Sequence, residues 1–151
     1  GEENRESLES LDEISPWLID ATIAIEDDEF YDHIGIDIPA LFRAFFSQFG
    51  IGTPRGGSTI TQQLVKNTIL SPERSYVRKY REIMISLAAE LKFSKDEILL
   101  MYLNEIPYGN NAYGIELASE RYFGKGANEL TLAESAILAS IPRAPTRYSP
   151  Y

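Results

Sequence analysis

Cysteine is absent from this chain, which rules out disulfides, thiol nucleophiles and thiolate metal ligands. A single histidine, His33, makes a histidine-built metal site untenable. No apolar run approaches the roughly 20 residues that span a bilayer, and no signal peptide is visible. Positive charge is scarce: 14 Lys and Arg face 23 Asp and Glu, a net charge of −9, which argues against a general nucleic-acid binder. Repeats and low-complexity tracts are missing as well. What is present is globular. With 151 residues, 44% of them hydrophobic, the chain makes one ordinary domain, long enough to bury roughly two-thirds of its unfolded surface.

The pattern along the chain predicts helix after helix. Ser15-Pro16 reads as a cap followed by proline at the first helical position, opening a helix through Ile25. Asp37 caps a second, whose Leu41, Phe42, Phe45, Phe46 and Phe49 precede the breaker Gly50-Ile51-Gly52. Ser58 or Thr59 caps a third, with Gln62 placed for a capping box. A long helix over about Tyr76 to Lys92 places Tyr80, Ile83, Met84, Leu87 and Leu91 on one stripe, expected to be buried. Ser94 with Glu97, and Thr131 with Glu134, make two more capping boxes, the second before a helix that Pro142 ends. "IPYGNNAYG" and "YFGKGANEL" read as loops, and little reads as strand. The expected fold is mainly α.

Three segments are poorly explained by structure alone. Glu26, Asp27, Asp28 and Glu29 crowd the end of the first helix, the negative pole of its dipole. Repulsion and partial burial raise a carboxylate's proton affinity, as a general base near neutral pH requires. The bland reading is a solvated acidic turn or a weak divalent-cation site. In "RGGSTITQQLVKN", two glycines lead into a helix start rich in hydroxyls and amides, with Lys66 one turn on. Free helix N–H groups, Ser58, Thr59, Thr61, Gln62, Gln63 and Lys66 together suit an anion. The spacing is not that of a nucleotide P-loop, and an ordinary capped helix is the alternative. Between Arg55 and Arg81 six basic residues accompany one acid, Glu73. There Glu82 follows Arg78 by four positions, which by itself would be an exposed helix pair. Its company is Lys66, Arg74, Arg78 and Lys79.

These parts suggest glycosyl transfer from a phosphate-linked sugar. A glycosidase needs one carboxyl to protonate an alkoxide and a second as base or nucleophile. A pyrophosphate leaving group needs no such proton. It needs positive charge where negative charge develops.

At this point the residues resemble the peptidoglycan glycosyltransferases, as found in class A penicillin-binding proteins and in monofunctional forms. "EDDEFYDHIGID", "GGSTITQQLVKN", "RKYRE", "KDEILLMYLNEIPYG" and "LTLAESAILASIPRAPTRYSP" look like that family's five motifs, in its order, from about Ser15 to Tyr151. The resemblance implies a lysozyme-like helical domain over 15–151, after an acidic extension over 1–14, with a small membrane-facing jaw at approximately 34–75. It implies polymerisation of lipid II into β-1,4-linked glycan with release of undecaprenyl pyrophosphate, at the outer face of the bacterial cytoplasmic membrane. Residue by residue, it makes Glu26 the catalytic base and Glu82 the second essential glutamate, helping the pyrophosphate directly or through Mg2+ or Mn2+, with no tightly bound cofactor. Ser58, Thr59, Gln63, Lys66, Arg74, Arg78 and Lys79 become donor- and pyrophosphate-binding positions. Asp27, His33 and Asn104 become cleft-lining or structural ones. Phe42, Phe45, Phe46, Phe49 and Ile51, otherwise core residues, are reread as contacts to the membrane surface. The expected partners are lipid II, the nascent glycan strand, moenomycin-type inhibitors and, in a longer parent, a transpeptidase domain; nucleic acid is not among them. The family's N-terminal membrane helix and the end of its domain are not in this sequence, so a trimmed form is expected. Two rivals are a peptidoglycan-cleaving lysozyme or lytic transglycosylase, and a non-catalytic lipid- or glycan-binding module.

Overall fold

The computed structural model describes residues 7–52, 57–70 and 75–142. Arg55, Glu73, Arg74 and the end of the fifth motif lie outside them. Among the described residues there are seven α-helices and two short 3-10 turns. Pairing of extended backbone is limited to one isolated bridge, Pro107 to Tyr113. The mainly α expectation holds, as for a lysozyme-like helical domain.

The chain divides into two compact units. One joins Gly1–Asp28 to Leu99–Tyr151, and the other is Glu29–Ile98.

In the first unit, α1 (Pro16–Glu26) packs along α7 (Leu132–Ser140). Leu18, Leu103, Ile115 and Leu138 are fully buried there. Proline opens α1 as expected, but Ser15 does not cap with its side chain. Its hydroxyl donates instead to the Leu130 carbonyl at 2.9 Å, and its N–H to the Ala127 carbonyl at 2.9 Å, tying α1 to the turn Ala127–Glu129. The acidic N-terminal stretch contributes its own 3-10 turn, Leu11–Glu13, which packs on that same turn. A helix that the pattern did not announce, α6 (Ile115–Phe123), begins at Gly114 without a side-chain cap. Gly114 has φ +85°, and a Cβ there would collide with the Asn104 carbonyl, so only glycine fits.

The second unit contains α2 (Ile38–Ser47), α3 (Ile60–Thr68), α4 (Tyr76–Lys92) and the first turn of α5 (Lys95–Glu105). Phe30, Ile60 and Ile98 are fully buried. The expected caps form: Asp37 accepts from Ala40 N–H, and Thr59 pairs with Gln62 in a capping box. Ser94 and Glu97 bond reciprocally at 3.1 and 3.2 Å. The stripe expected to be buried on α4 is a correction. Tyr80 is 64% and Leu91 91% exposed, and Met84 is also at the surface. The buried side chains of α4 are Glu82 and Ser86, and α3 packs on this helix. Helical periodicity identifies a face, but packing decides which face is covered. Ser86 is small and returns its hydroxyl to the Glu82 carbonyl at 2.7 Å, so it can lie in a closely packed layer without an unmet donor.

Candidate active site

The second unit holds a cationic cleft of about 200 Å³ whose walls are Lys66, Ser75, Arg78, Lys79 and Glu82. Lys66 comes from the last turn of α3, and Arg78, Lys79 and Glu82 come from the first half of α4. Ser75 caps α4, its hydroxyl accepting from Arg78 N–H at 3.1 Å. Glu82 is 3% exposed. Its Oε2 accepts from Lys79 Nζ at 2.6 Å and from Gln62 Nε2 at 3.1 Å. The structure thus brings Glu82, Lys66, Arg78 and Lys79 together, as the sequence suggested. A buried carboxylate fixed by two donors holds the nearer ammonium in place and leaves a net positive rim.

The hydroxyl- and amide-rich helix start plays two parts. Thr59 is buried, and its hydroxyl donates to the Gly35 carbonyl at 2.7 Å while accepting from Gln62 N–H at 3.1 Å. Thr61 donates to Glu90 at 2.8 Å, and Gln62 is committed to Thr59 and Glu82. These side chains point inward, so they hold the cradle rather than line it. Ser58 and Gln63 are half-buried on the same segment, outside the walls of the cleft. His33 belongs to the support: its Nδ1 accepts from Gly35 N–H at 3.0 Å and lies 3.3 Å from Lys95 Nζ, which also bonds Glu90 at 2.7 Å. Phe42, Phe45, Phe46, Phe49 and Ile51 are all exposed, and the phenyl rings touch one another at centroid distances of 5.3 to 6.4 Å.

Metal binding was expected at Glu82 as one alternative. The donor set does not fit a divalent cation: one carboxylate, shared between an ammonium and an amide, stands among three cationic side chains. Among the described residues no group of three or more His, Asp or Glu could hold a metal ion.

The first unit holds Glu26, the final residue of α1, half-buried at the negative pole of the helix. Asp27 is buried behind it, its N–H donating to the Ile23 carbonyl at 3.0 Å, whereas Asp28 is exposed. Two tyrosines of the fourth motif, Tyr102 and Tyr108, are fully buried in this unit. Burial first, and then the charge of Glu26, push both phenols well above their ordinary range for losing a proton. Sequence reasoning missed these two residues. In "LLMYLNEIPYG" a tyrosine reads as core, and only the fold sets it near a carboxylate. Asn104, in the same motif, is structural: its side chain accepts from Leu8 N–H and donates to the Leu8 carbonyl, both at 2.9 Å.

The transglycosylase family matches this chain over residues 1–151. The chain belongs to that family. It is 46% identical over 149 residues to penicillin-binding protein 1F of Bacillus subtilis (strain 168), covering 98% of this chain and 21% of that protein. Against penicillin-binding protein 1A of Neisseria flavescens the identity is 46% over 151 residues, or 99% of this chain and 19% of the relative. Penicillin-binding protein 1A of Escherichia coli (strain K12) is 44% identical over 149 residues, with coverages of 98% and 18%. The chain therefore spans about a fifth of the length of these relatives. It is a transglycosylase-family domain whose matched relatives are penicillin-binding proteins.

Proposed function

We propose that this domain polymerises lipid II into β-1,4-linked glycan, releasing undecaprenyl pyrophosphate. The observation that carries this reading is the cationic cleft organised around buried Glu82, with Lys79 at 2.6 Å and Lys66 and Arg78 in its walls. Glu26 takes the proton from the 4-hydroxyl of the acceptor sugar. The freed oxygen attacks the anomeric carbon of the donor from the face opposite the pyrophosphate, which inverts that centre. As the bond from carbon to phosphate oxygen breaks, two electrons pass to the pyrophosphate, and the cations of the cleft meet the charge where it grows. No proton has to reach the leaving group, which suits a cleft whose carboxylate is already held by Lys79 and Gln62.

The aromatic surface from Phe42 to Ile51 suits contact with lipid, and would bring the cradle to the level of the lipid headgroups at the outer face of the cytoplasmic membrane. Among the described residues no helix is long and apolar enough to cross a membrane. The greater length of the relatives, and their names as penicillin-binding proteins, support a parent that also carries a transpeptidase domain. A cleaving enzyme needs one dominant acid and has no use for this cluster of cations.

Incubation with labelled lipid II, with and without moenomycin, tests the reading. Long glycan products that disappear with the inhibitor are expected. Shortening of preformed glycan without consumption of lipid II would instead identify a lytic enzyme, and binding without turnover a non-catalytic module.

A further inference from the structure

Tyr108 is wholly buried, yet its hydroxyl has no hydrogen-bond partner among the described residues. Such a group is costly to keep, because water satisfied it in the unfolded chain. The ring is also firmly placed. Tyr108 N–H donates to the Ala112 carbonyl at 2.8 Å, and the Tyr122 hydroxyl donates to the Tyr108 carbonyl at 2.7 Å. The loop turns through three successive left-handed residues, Gly109, Asn110 and Asn111, and closes on the Pro107–Tyr113 bridge. The charge this phenol feels is that of Glu26, and Thr22, one turn earlier on α1, presents a second buried hydroxyl without a partner.

We propose that Tyr108 is a positioning residue: its hydroxyl donates a hydrogen bond across one buried water to the Glu26 carboxylate, and so turns the other carboxylate oxygen toward the acceptor hydroxyl. The inference rests on Glu26 being the base. Burial and the negative charge of Glu26 both keep the phenol protonated, so it serves as a donor and carries no proton away. Ionisable groups that accompany Glu26 include Asp27, the residue that caps α1, and Tyr102 from α5. The packed helix α7 contains one titratable residue, Glu134, which is engaged by Lys125 at 2.8 Å. A donor to the ionised form favours that form, so removing it makes Glu26 easier to protonate and shifts loss of the base to higher pH.

The test is the Tyr108→Phe substitution, which keeps the ring and deletes the hydroxyl. Two readouts apply: the carboxyl 13C titration of Glu26, assigned by its absence in Glu26→Gln, and the pH profile of lipid II consumption. The titration midpoint is expected to rise by about one unit, with the acidic limb of the rate following it, a roughly tenfold loss on the acid side that recovers toward the alkaline plateau. An unmoved midpoint, or a uniform loss at every pH, would overturn the proposal. Should Tyr108→Phe fail to fold, replacing Tyr108 by 3-fluorotyrosine supplies a stronger donor and must move the midpoint downward; no movement overturns it equally. A wild-type chain that consumes no lipid II, or a Glu26→Gln chain that still does, defeats the reading of the function instead, while the titration still judges the hydrogen bond.

Discussion

Glu26 and Glu82 are the same side chain in opposite surroundings. Glu26 ends a helix at its negative pole, beside Asp27 and two phenols that stay protonated. Glu82 is buried mid-helix and clamped by an ammonium and an amide, with two further cations in the same cleft. A carboxylate at the negative pole of a helix, next to a second carboxylate, is placed to receive a proton. One held by an ammonium and an amide keeps those donors where they are. Under the proposed function, the contrast gives chemistry to the first and architecture of charge to the second, although the two residue types are identical.

Substitutions can break that contrast. The largest effect is expected from Glu26→Gln, which should lower the polymerisation rate by roughly 10²- to 10⁴-fold while leaving moenomycin affinity within about twofold. Equal loss of both would remove Glu26 from the chemistry. Glu82→Gln should cost roughly 10- to 100-fold in rate and also weaken moenomycin, because Lys79 loses the partner that places it. Unchanged moenomycin affinity would separate Glu82 from the cradle. Lys66→Ala should raise the Kd for moenomycin about tenfold, with an effect that shrinks in high salt; a salt-independent change would mean lost packing rather than lost charge. The smallest effect is reserved for Phe45→Ser combined with Phe49→Ser: severalfold weaker binding to vesicles of anionic phospholipid, at a Tm within about 1–2 °C of the parent, since both rings are exposed. A large drop in Tm would return those rings to the core.

Much of the fold was legible because its helix starts are written in side chains. Asp37, Thr59 with Gln62, Ser94 with Glu97, and Thr131 with Glu134 announce four helices by a local mechanism that needs no tertiary information. α6 stayed hidden because its start is Gly114, whose role depends on the Asn104 carbonyl ten residues earlier. The covered face of α4 was misread for a related reason: Glu82 and Ser86 look like surface residues until α3 is laid on the helix. Within the site, the cations were visible as an excess of one charge in an acidic chain. Thr59, Thr61 and Gln62 looked like ligand donors, because sequence does not tell which way a short polar side chain points. Tyr102 and Tyr108 carried no local signal at all.

Gly35 has φ +105°, and an added Cβ would meet the Glu90 side chain at 2.6 Å and the Ser86 carbonyl at 2.8 Å, while its own carbonyl receives the Thr59 hydroxyl. The first-motif loop is therefore a keystone wedged between the start of α3 at Thr59 and α4. Anyone redesigning the pitch of the cradle has to alter Gly35, Ser86 and Glu90 as one block, because none of the three has slack to absorb a change in another.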